Sequence, residues 1–411
     1  MNKRKVPKIR FKGFYDDWEQ RKVSEIGNII TGSTPKTSIS DNYGGEFLFV
    51  SPADIQGNRY VNETITTLTK KGFDQGRKIR EKASLFVSIG STIGKVAQTS
   101  QESTTNQQIN AVEPYDNFDD DFTFTSLENV SGSIKAIASN QAVPIVNKTT
   151  FGETEIQVPS ELAEQQKIGA YFRNLDHLIT LHQRKLEKLK IIKKSMLENC
   201  FPKNGEKAPQ IRFSGFSDDW EQRKLADIVE RITRKNENLE STLPLTISAQ
   251  YGLIDQNEFF DKRIASKDVS GYYLVRKGEF AYNKSTSSDA PWGAIKRLDR
   301  YACGVLSTLY IVFRILDEDK VNSDYLVTYY DTDIWHKGVQ AIAAEGARNH
   351  GLLNIAPADF FETTVSVPKD IEEQRKIGAY IMQLDHVITL HQSKLEKLKM
   401  IKKSMLETMF V

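Results

Sequence analysis

One short segment of the chain has glycine spacing close to that of a phosphate-binding loop. The segment GSTIGKV occupies residues 90–96. A loop of this type has four residues between its two glycines, and a hydroxyl side chain after the lysine binds Mg²⁺. Here only three residues separate Gly90 from Gly94, and Val96 stands where the hydroxyl is needed. A turn between two strands is therefore the better interpretation.

The rest of the sequence has no recognisable catalytic or metal-binding pattern. The Asp/Asn-Pro-Pro-Tyr/Phe motif of amino-methyltransferases is missing, and no glycine-rich cofactor motif follows a strand pattern. The six histidines and two cysteines lack zinc-ligand spacing. His177 and His182 lie five residues apart, so they do not share a helix face, and a sequence repeat explains their recurrence as His386 and His391. We predict that this chain holds no metal and is not an enzyme on its own.

Several predicted loops carry side chains that could contact nucleic acid. Asn, Gln and Arg can meet base edges, whereas Lys, Ser and backbone amides can meet phosphates. In the first half the candidates are Thr31, Ser33, Thr34, Lys36, Ser91, Thr92, Lys95, Asn106, Gln107 and Gln108. In the second half they are Arg234, Lys235, Asn236, Tyr251, Asn283, Lys284, Ser285, Trp292, Lys296, Arg348, Asn349 and His350. Polar loops are also ordinary surface features, so each residue alone leaves both interpretations open.

Length and composition favour a soluble protein of two domains. The chain has 411 residues, of which 39% are hydrophobic and 27% charged, with a net charge of +2. No apolar run approaches the roughly 20 residues of a membrane span, and the basic N-terminal segment lacks the apolar stretch of a secretory signal. Two cysteines are too few for a disulfide framework. We expect a cytoplasmic protein without a membrane partner, in which any basic surface is local.

The chain is organised as a tandem duplication. Residues 7–26 recur at 209–228 with 14 of 20 positions identical. Residues 165–198 recur at 374–407 with 27 of 34 positions identical. The segments of about 130 residues between these blocks do not align convincingly with each other. Two similar frames thus enclose two different middles.

The second repeated block has the pattern of a long amphipathic helix. Its apolar residues recur near heptad spacing, interrupted by His182 and His391. About 36 residues at 1.5 Å each would give a rod of roughly 50 Å. We expect the two helices to pair antiparallel, because two equivalent units are most easily related by a pseudo-twofold axis. The predicted pairing and partner-docking positions are Ile168, Leu175, Ile179, Leu186, Leu189, Ile377, Leu384, Ile388, Leu395 and Leu398.

The variable middles mix short strand patterns with isolated helix patterns. β-Branched and aromatic runs such as SLFVS and LYIVFRI are bounded by turn residues and indicate strands. A stripe from Leu127 to Ile137 predicts a helix in the first middle, and residues 322–345 predict one in the second. The predicted class is α+β, with mixed strands and helices in each domain.

The order of the motifs resembles the DNA specificity subunits of type I restriction-modification systems. The resemblance spans essentially the whole chain and rests on the segments FKGFYDDW and FSGFSDDW, the TGSTP turn at 31–35, the helix openings PSELAEQQKI and PKDIEEQRKI, and the repeated KLEKLK. The second half lacks the TGSTP turn and has DIVERITRKNENLE in its place. The role of that turn is therefore not transferred between the halves.

This resemblance implies a non-catalytic protein whose two target-recognition domains each read one half of a bipartite, asymmetric site in double-stranded DNA. The paired helices would set the spacer and dock two methyltransferase subunits, and restriction or translocase subunits would join that core. S-adenosylmethionine, ATP and Mg would then be bound by the partner subunits. The isolated chain is expected to bind DNA poorly, since with little net charge its partners would supply much of the phosphate attraction.

The resemblance also divides the chain. The predicted parts are an N-terminal target-recognition domain at 1–160, a first spacer helix at 161–201, a linker at 202–210, a C-terminal target-recognition domain at 211–369 and a second spacer helix at 370–411. Two other functions remain as alternatives. A stand-alone DNA-modifying enzyme would bind S-adenosylmethionine or cleave DNA without partners. A duplicated coiled-coil scaffold would give an assembled complex that does not discriminate DNA sequences.

Overall fold

The structure is a computed structural model that describes residues 6–138, 145–203, 205–248, 252–262, 264–288, 290–343, 348–349 and 351–410. It consists of two compact units. The N unit contains the residues up to Leu186 together with those from His391 onward, and the C unit contains Glu187–Leu390. Each unit therefore combines one variable middle with segments of both repeated helices. This composition differs from a division made in sequence order.

The N unit begins with a strand from the first repeated block and continues through the first variable middle. Its strands are β1 Glu19–Lys22, β2 Gly27–Thr31, β3 Tyr43–Val50, β4 Tyr60–Val61, β5 Thr67–Leu68, β6 Ser84–Val87, β7 Val96–Thr99, β8 Thr104–Thr105, β9 Ile109–Pro114 and β10 Glu155–Val158. Its helices are α1 Val23–Ile26, α2 Lys70–Phe73, α3 Asp120–Ala138 and α4 Lys148–Gly152, followed by α5 Leu162–Asn199, which extends into the C unit.

The C unit contains the second variable middle. Its strands are β11 Glu221–Lys224, β12 Val229–Ile232, β13 Leu245–Ser248, β14 Gly252–Asp255, β15 Tyr273–Arg276, β16 Phe280–Asn283, β17 Ala294–Arg297, β18 Cys303–Leu306, β19 Ile311–Ile315, β20 Arg348–Asn349, β21 Leu352–Leu353 and β22 Thr364–Val367. Its helices are α6 Gln256–Phe260, α7 Ser323–Tyr330, α8 His336–Ile342 and α9 Pro357–Phe361, followed by α10 Ile371–Met409, which extends into the N unit.

The two variable middles share one strand order although their sequences do not align. The largest sheet of the N unit has the order β2-β9-β6-β7-β4, and that of the C unit has the order β12-β19-β16-β17. In both sheets the pairings among the first four strands are antiparallel, and β4 is parallel to β7 in the N unit. The α+β class predicted from the sequence is confirmed, and the middles are two versions of one fold.

The repeated motifs contact each other inside each unit, which explains why they recur as sets. In the N unit Arg10 donates two hydrogen bonds of 2.6 and 2.8 Å to the buried carboxylate of Glu164, at the start of α5. In the C unit Arg212 binds Glu373, at the start of α10, at 2.7 and 2.8 Å. Such bidentate pairs fix orientation as well as distance. Arg10 and Arg212, which occupy the same position of the first repeated block, thus each bind the start of the long helix of their own half.

The first repeated block of each half also contributes one strand, β1 or β11. Strand β1 pairs antiparallel with β10, and β11 pairs antiparallel with β22. The tryptophans before these strands, Trp18 and its repeat equivalent Trp220, are both buried in the cores of their units. In each unit the first constant block therefore pairs with a strand that lies just before the long helix, and this two-stranded sheet leads into the helix.

Both long helices form and run antiparallel within each unit, as predicted. In the N unit Asp176 on α5 lies 2.7 Å from Lys402 on α10, and His182 lies 2.8 Å from His391. In the C unit Lys193 on α5 lies 2.7 Å from Asp385 on α10. Residue numbers rise along one helix as they fall along the other, which is the signature of antiparallel pairing.

The predicted apolar stripe of the helices is largely inward-facing. Ile168, Leu175, Leu186, Ile377 and Leu395 are buried. The remaining predicted positions are half-buried: Ile179, Leu189, Leu384, Ile388 and Leu398. His182 is also buried, so the histidines do lie in the stripe that they interrupt. In the part of the chain that the structure describes, no helix has the length and apolarity to cross a membrane.

The single helix predicted in the second variable middle is in fact two helices. The sequence predicted a single helix over residues 322–345, but α7 ends at Tyr330 and α8 begins at His336. Between them, Thr332 turns back so that its hydroxyl donates to the carbonyl of Tyr329, and the indole of Trp335 donates to the carbonyl of Tyr330. These side chains satisfy carbonyls at the helix end, where backbone partners are lacking. The Asp-Thr-Asp segment thereby stops the helix despite the apolar pattern around it.

Candidate nucleic-acid interface

The polar loops predicted in the first half leave from one edge of the main sheet of the N unit. Thr31, the last residue of β2, faces Asn110 in β9, and Val87, the last residue of β6, faces Ile109. The ends of β2 and β6 and the start of β9 therefore coincide. Three loops leave from this edge, at 32–42, 88–95 and 106–108, and we call this surface the N loop edge. All ten residues predicted in this half lie on it or next to it.

Hydrogen bonds between side chains hold the N loop edge together. Thr31 donates to the Asn110 carbonyl at 2.6 Å, and the Asn110 amide donates to the hydroxyl of Ser88 at 2.8 Å. The backbone N–H of Ser88 donates to the carbonyl of Gln108, whose side-chain oxygen accepts from Asn106 at 3.0 Å. Loops that are distant in the sequence are thus linked by bonds between side chains and backbone. Such a surface is preorganised for contact rather than ordered by it.

Exposure divides the predicted residues of the N loop edge into two groups. The exposed ones are Thr34, Lys36, Ser91 and Gln107. The half-buried ones are Thr31, Ser33, Thr92, Lys95, Asn106 and Gln108. Among the latter, Lys95 donates its ammonium to the carbonyl of Ile55 at 3.0 Å. The first group can meet a partner directly, whereas the second group mainly shapes the loops.

The C unit presents an equivalent edge. Asn283, the last residue of β16, faces Ala294 in β17, and Ile232, the last residue of β12, faces Val312 in β19. The loops at 233–244, 284–293 and 307–310 leave from this side, and we call it the C loop edge. The β20–β21 hairpin adjoins it, because the N–H of Thr286 donates to the carbonyl of Gly351 at 2.7 Å.

Several residues predicted in the second half have internal partners instead of a free side chain. Asn236 is 1% exposed, and its amide donates to the carbonyl of Ser241 at 2.8 Å. Arg234 lies 2.9 Å from the buried carboxylate of Glu279. Contact of Asn236 with a ligand would require its bond to Ser241 to break, at the cost of leaving a buried group unpaired. These internal partners are typical of residues that shape a loop, and the DNA contacts predicted for Asn236 and Arg234 stay predictions.

Lysines of the second half are similarly engaged. Lys235 donates to the carbonyl of Gly271 at 2.8 Å and lies over the ring of Tyr273. Lys284 donates to the carbonyl of Ile355, and burial lowers its pKa. Lys296 lies in β17, away from the loop edge, and binds Asp331 at 2.6 Å. For Lys296 the predicted position on an open loop is therefore wrong.

For the remaining predicted residues the structure describes some side chains, only the backbone of others, and two residues not at all. Ser285 is exposed, and Asn283 is half-buried with its side-chain oxygen accepting from the N–H of Ser285. Trp292 is half-buried and packs against the core of the C unit. Arg348 and Asn349 are described only as the backbone of β20. Tyr251 and His350 lie outside the described residues.

The N unit also contains a buried charge cluster that sequence reasoning missed. Arg59, only 2% exposed in its side chain, binds Asp121 and Asp176 at 2.9 Å each. Lys402 binds Asp176 at 2.7 Å and Glu128 at 2.6 Å. Burial raises the pKa of Glu128, and Lys402 opposes that rise only in part. We call these five residues the N cluster.

The C unit has a corresponding cluster. Lys193 lies between Asp385 at 2.7 Å and Asp331 at 3.2 Å, and Lys296 binds the other oxygen of Asp331 at 2.6 Å. Burial alone would raise the pKa of Asp331, but Lys296 and Lys193 outweigh it and lower that pKa. Burial likewise opposes the charge of Lys193, whose pKa is nevertheless raised by Asp331 and Asp385. We call these four residues the C cluster.

A signal for both clusters was present in the repeat. Asp176 recurs as Asp385 and Lys193 as Lys402 at the same offset of 209. Charged residues retained in both copies of an amphipathic helix suggest a shared contact, although their partners in the variable middles could not be read from the pattern. Within the described residues, no group of three or more metal-ligating side chains is found.

The sequence is similar to a known protein family and to characterised members of it. A family model described as the type I restriction modification DNA specificity domain matches residues 15–191. The HindI specificity subunit of Haemophilus influenzae is 34% identical over 148 residues, which cover 35% of this chain and 32% of the relative. The MjaIX specificity subunit of Methanocaldococcus jannaschii is 26% identical over 234 residues, which cover 52% of each chain. This chain thus spans about a third to a half of the length of these relatives.

A solved structure resembles the fold over nearly the full length. The S subunit of a type I restriction-modification system from M. genitalium superposes with a TM-score of 0.65, covers 99% of each chain and has 14% sequence identity. The fold is therefore that of a duplicated two-domain protein built on long helices. Through the family match at residues 15–191 and the two curated relatives, the chain is similar in sequence to the specificity subunits of type I restriction-modification systems.

Proposed function

We propose that this chain is the non-catalytic DNA sequence-specificity subunit of a type I restriction-modification complex. Each unit reads one half of a bipartite, asymmetric site in double-stranded DNA through its loop edge. One observation supports this most directly: both loop edges rest on the same strand order but carry different side chains. A constant framework with unlike readers is what an asymmetric bipartite site requires.

The long helices offer candidate docking surfaces for two copies of one partner. In the N unit Leu178, Leu181, Met400 and Ile401 are exposed, with exposures of 40%, 51%, 63% and 44%. The repeat-equivalent residues of the C unit are Val387, Leu390, Ile191 and Ile192, of which the last three are exposed. Exposed apolar side chains grouped on a helix surface favour contact with another protein. We infer that each set docks one methyltransferase subunit.

The catalytic chemistry in this proposal belongs to the partners. S-adenosylmethionine would be bound by the methyltransferase subunits, and ATP and Mg by the restriction or translocase subunits. This chain would hold the DNA and the partners in one register.

The test of sequence reading is a domain exchange in the assembled complex. Residues 27–150 are replaced by the corresponding segment of a relative with a known target, the complex is expressed with its methyltransferase subunit, and methylated sites are sequenced. We expect only one half of the recognised site to change. A change in both halves, or methylation without sequence preference in the unaltered complex, would contradict the proposal.

The test of docking uses charge placed on each helix surface. We expect the double substitution Leu178→Glu and Leu181→Glu to remove one methyltransferase subunit from the complex, and Val387→Glu with Leu390→Glu to remove the other. The masses of the purified complexes report the stoichiometry directly. Ile65→Glu is the matched control, because Ile65 is 81% exposed but lies outside the helices.

A further inference from the structure

Gln107 occupies a special position on the N loop edge. It is exposed at the tip of the 106–108 loop, whereas its neighbours Asn106 and Gln108 are half-buried. The hydroxyl of Thr34, from the 32–42 loop, donates to the side-chain oxygen of Gln107 at 2.5 Å. An exposed glutamine normally samples many rotamers, so this bond fixes a side chain that would otherwise be mobile.

The backbone under Gln107 is also fixed. The N–H of Asn106 donates to the carbonyl of Val50 in β3, and the N–H of Ile109 donates to the carbonyl of Asn106. The side-chain oxygen of Asn106 accepts from the N–H of Gln108 at 3.1 Å. Gly32 packs so closely beneath the loop that a Cβ there would lie 2.1 Å from the carbonyl oxygen of Asn106. The tip therefore keeps its shape when a ligand arrives.

The hydrogen-bonding capacity left on Gln107 selects one base. With Thr34 bound to one lone pair of the oxygen, the amide retains two N–H donors and a second lone pair. Adenine presents an acceptor at N7 beside a donor at N6 in the major groove, which matches this pattern. Guanine presents two acceptors there, thymine one acceptor beside a methyl group, and cytosine only a donor, so none of these bases satisfies both groups of the amide.

We propose that Gln107 reads an adenine in the half-site recognised by the N unit, and that Thr34 is its positioning residue. The inference rests on the proposed function, because it requires the N loop edge to face the major groove. It adds a specific residue, a specific base and a role for the contact between two loops.

The test measures base preference at every position of the recognised sequence. Complexes carrying Gln107→Ala and Gln107→Arg are assembled with the methyltransferase subunit, and binding is measured on a library of DNA variants at fixed salt. We expect Gln107→Ala to reduce discrimination at one A·T pair of one half-site by roughly ten-fold or more, the range for a bidentate contact. We expect Gln107→Arg to shift the preference at that pair towards guanine, because arginine offers two donors.

Variants of Thr34 test whether its hydroxyl positions the Gln107 side chain or only maintains the loop. Thr34→Val should reduce discrimination at the same base pair by a few-fold, and Thr34→Ser should restore it. Gln101→Ala is the matched control, since Gln101 is exposed on a loop that follows the far end of β7. That variant should leave every base preference unchanged.

The outcomes distinguish this inference from the function on which it rests. If the unaltered complex shows no bipartite sequence preference, the proposed function fails. If it does show one but Gln107→Ala changes no position, or weakens binding equally on all sequences as loss of a phosphate contact would, the adenine assignment alone is wrong. A half-site without any A·T pair would overturn it as well.

Discussion

The N cluster and the C cluster contain the same repeated aspartate–lysine ion pair, but the residues that surround this pair differ between the two units. Both contain an aspartate of one long helix bound to a lysine of the other, namely Asp176 with Lys402 and Asp385 with Lys193. In the N unit this pair is joined by Glu128 of α3 and by the deeply buried Arg59. In the C unit it is joined by Asp331 and Lys296. The constant frame supplies one ion pair, and each variable middle supplies its own partners.

The comparison shows how unlike domains can be attached to one frame. Each lysine comes from the repeat opposite to the variable middle that it holds: Lys402 of the second repeat binds Glu128 of the first middle, and Lys193 of the first repeat binds Asp331 of the second. The attachment is therefore crosswise in sequence. A variable middle needs an acidic side chain at this point, but neither its element nor its neighbours need to be the same.

The largest effect is expected where the two clusters differ most. Arg59→Leu would leave Asp121 and Asp176 buried beside fewer cations, and breaking a buried ion pair costs about 3–5 kcal/mol. We expect amide hydrogen exchange to increase in peptides of the N unit around residues 55–63 and 118–130, while peptides of the C unit keep their protection. Arg173→Met serves as the control, because Arg173 also binds Asp121 but its side chain is 42% exposed. Equal loosening of both units would contradict the separation of the clusters.

A smaller effect tests the crosswise attachment. Lys402→Met and Lys193→Met each remove one lysine that is partly buried, which costs about 1–3 kcal/mol when a buried partner loses its hydrogen bonds. Lys402→Met should loosen the first variable middle and Lys193→Met the second, as measured by amide exchange. Lys403→Met and Lys194→Met are matched controls, since both of these lysines are exposed neighbours on the same helices. If each variant loosened the middle of its own repeat, the attachment would follow the sequence instead.

The smallest effect concerns pH, and it has opposite signs in the two clusters. Because the pKa of Asp331 is lowered in the folded protein, its carboxylate contributes stability above its ordinary pKa of about 4, and this is lost as the pH falls further. Because burial raises the pKa of Glu128, its ionisation weakens folding as the pH rises above its ordinary value.

Calorimetric melts of two isosteric variants measure this difference. Asp331→Asn should destabilise the protein at pH 7 and have less effect at pH 4. Glu128→Gln should be nearly neutral or stabilising at pH 7, where it removes the cost of the buried charge. If the stabilities of the two variants changed with pH in the same direction, the predicted difference between the clusters would be wrong.

Sequence reasoning found the parts of the molecule that follow a period or a repeat. The stripe through Ile168, Leu175 and Ile377 predicted the buried face of the helices, because helix geometry maps sequence spacing onto one side. The strands β6 and β19 were likewise visible as the β-branched and aromatic runs SLFVS and LYIVFRI. The edge at which their loops meet was not visible, since it depends on strand order.

The rest depended on partners distant in the sequence. Arg234 and Lys296 looked like free loop cations, but Glu279 and Asp331 bind them. Arg59 was not predicted to have a role, although it binds two carboxylates that lie 62 and 117 residues away along the chain. A charged residue carries no local sign that distinguishes a solvated side chain from a buried ion pair. Only the fold brings such pairs together.

His182 and His391 descend from the same position of the repeat and face each other through their Nδ1 atoms. Burial, reinforced by neighbouring lysines, lowers the pKa of both, which favours the neutral rings. A hydrogen bond between two neutral Nδ1 atoms needs the proton on one ring only, so the two rings must adopt different tautomers. His182 and His391 are therefore equivalent in the repeat but differ in which ring nitrogen carries the proton. Nitrogen NMR should detect one protonated and one unprotonated Nδ1 in this histidine pair.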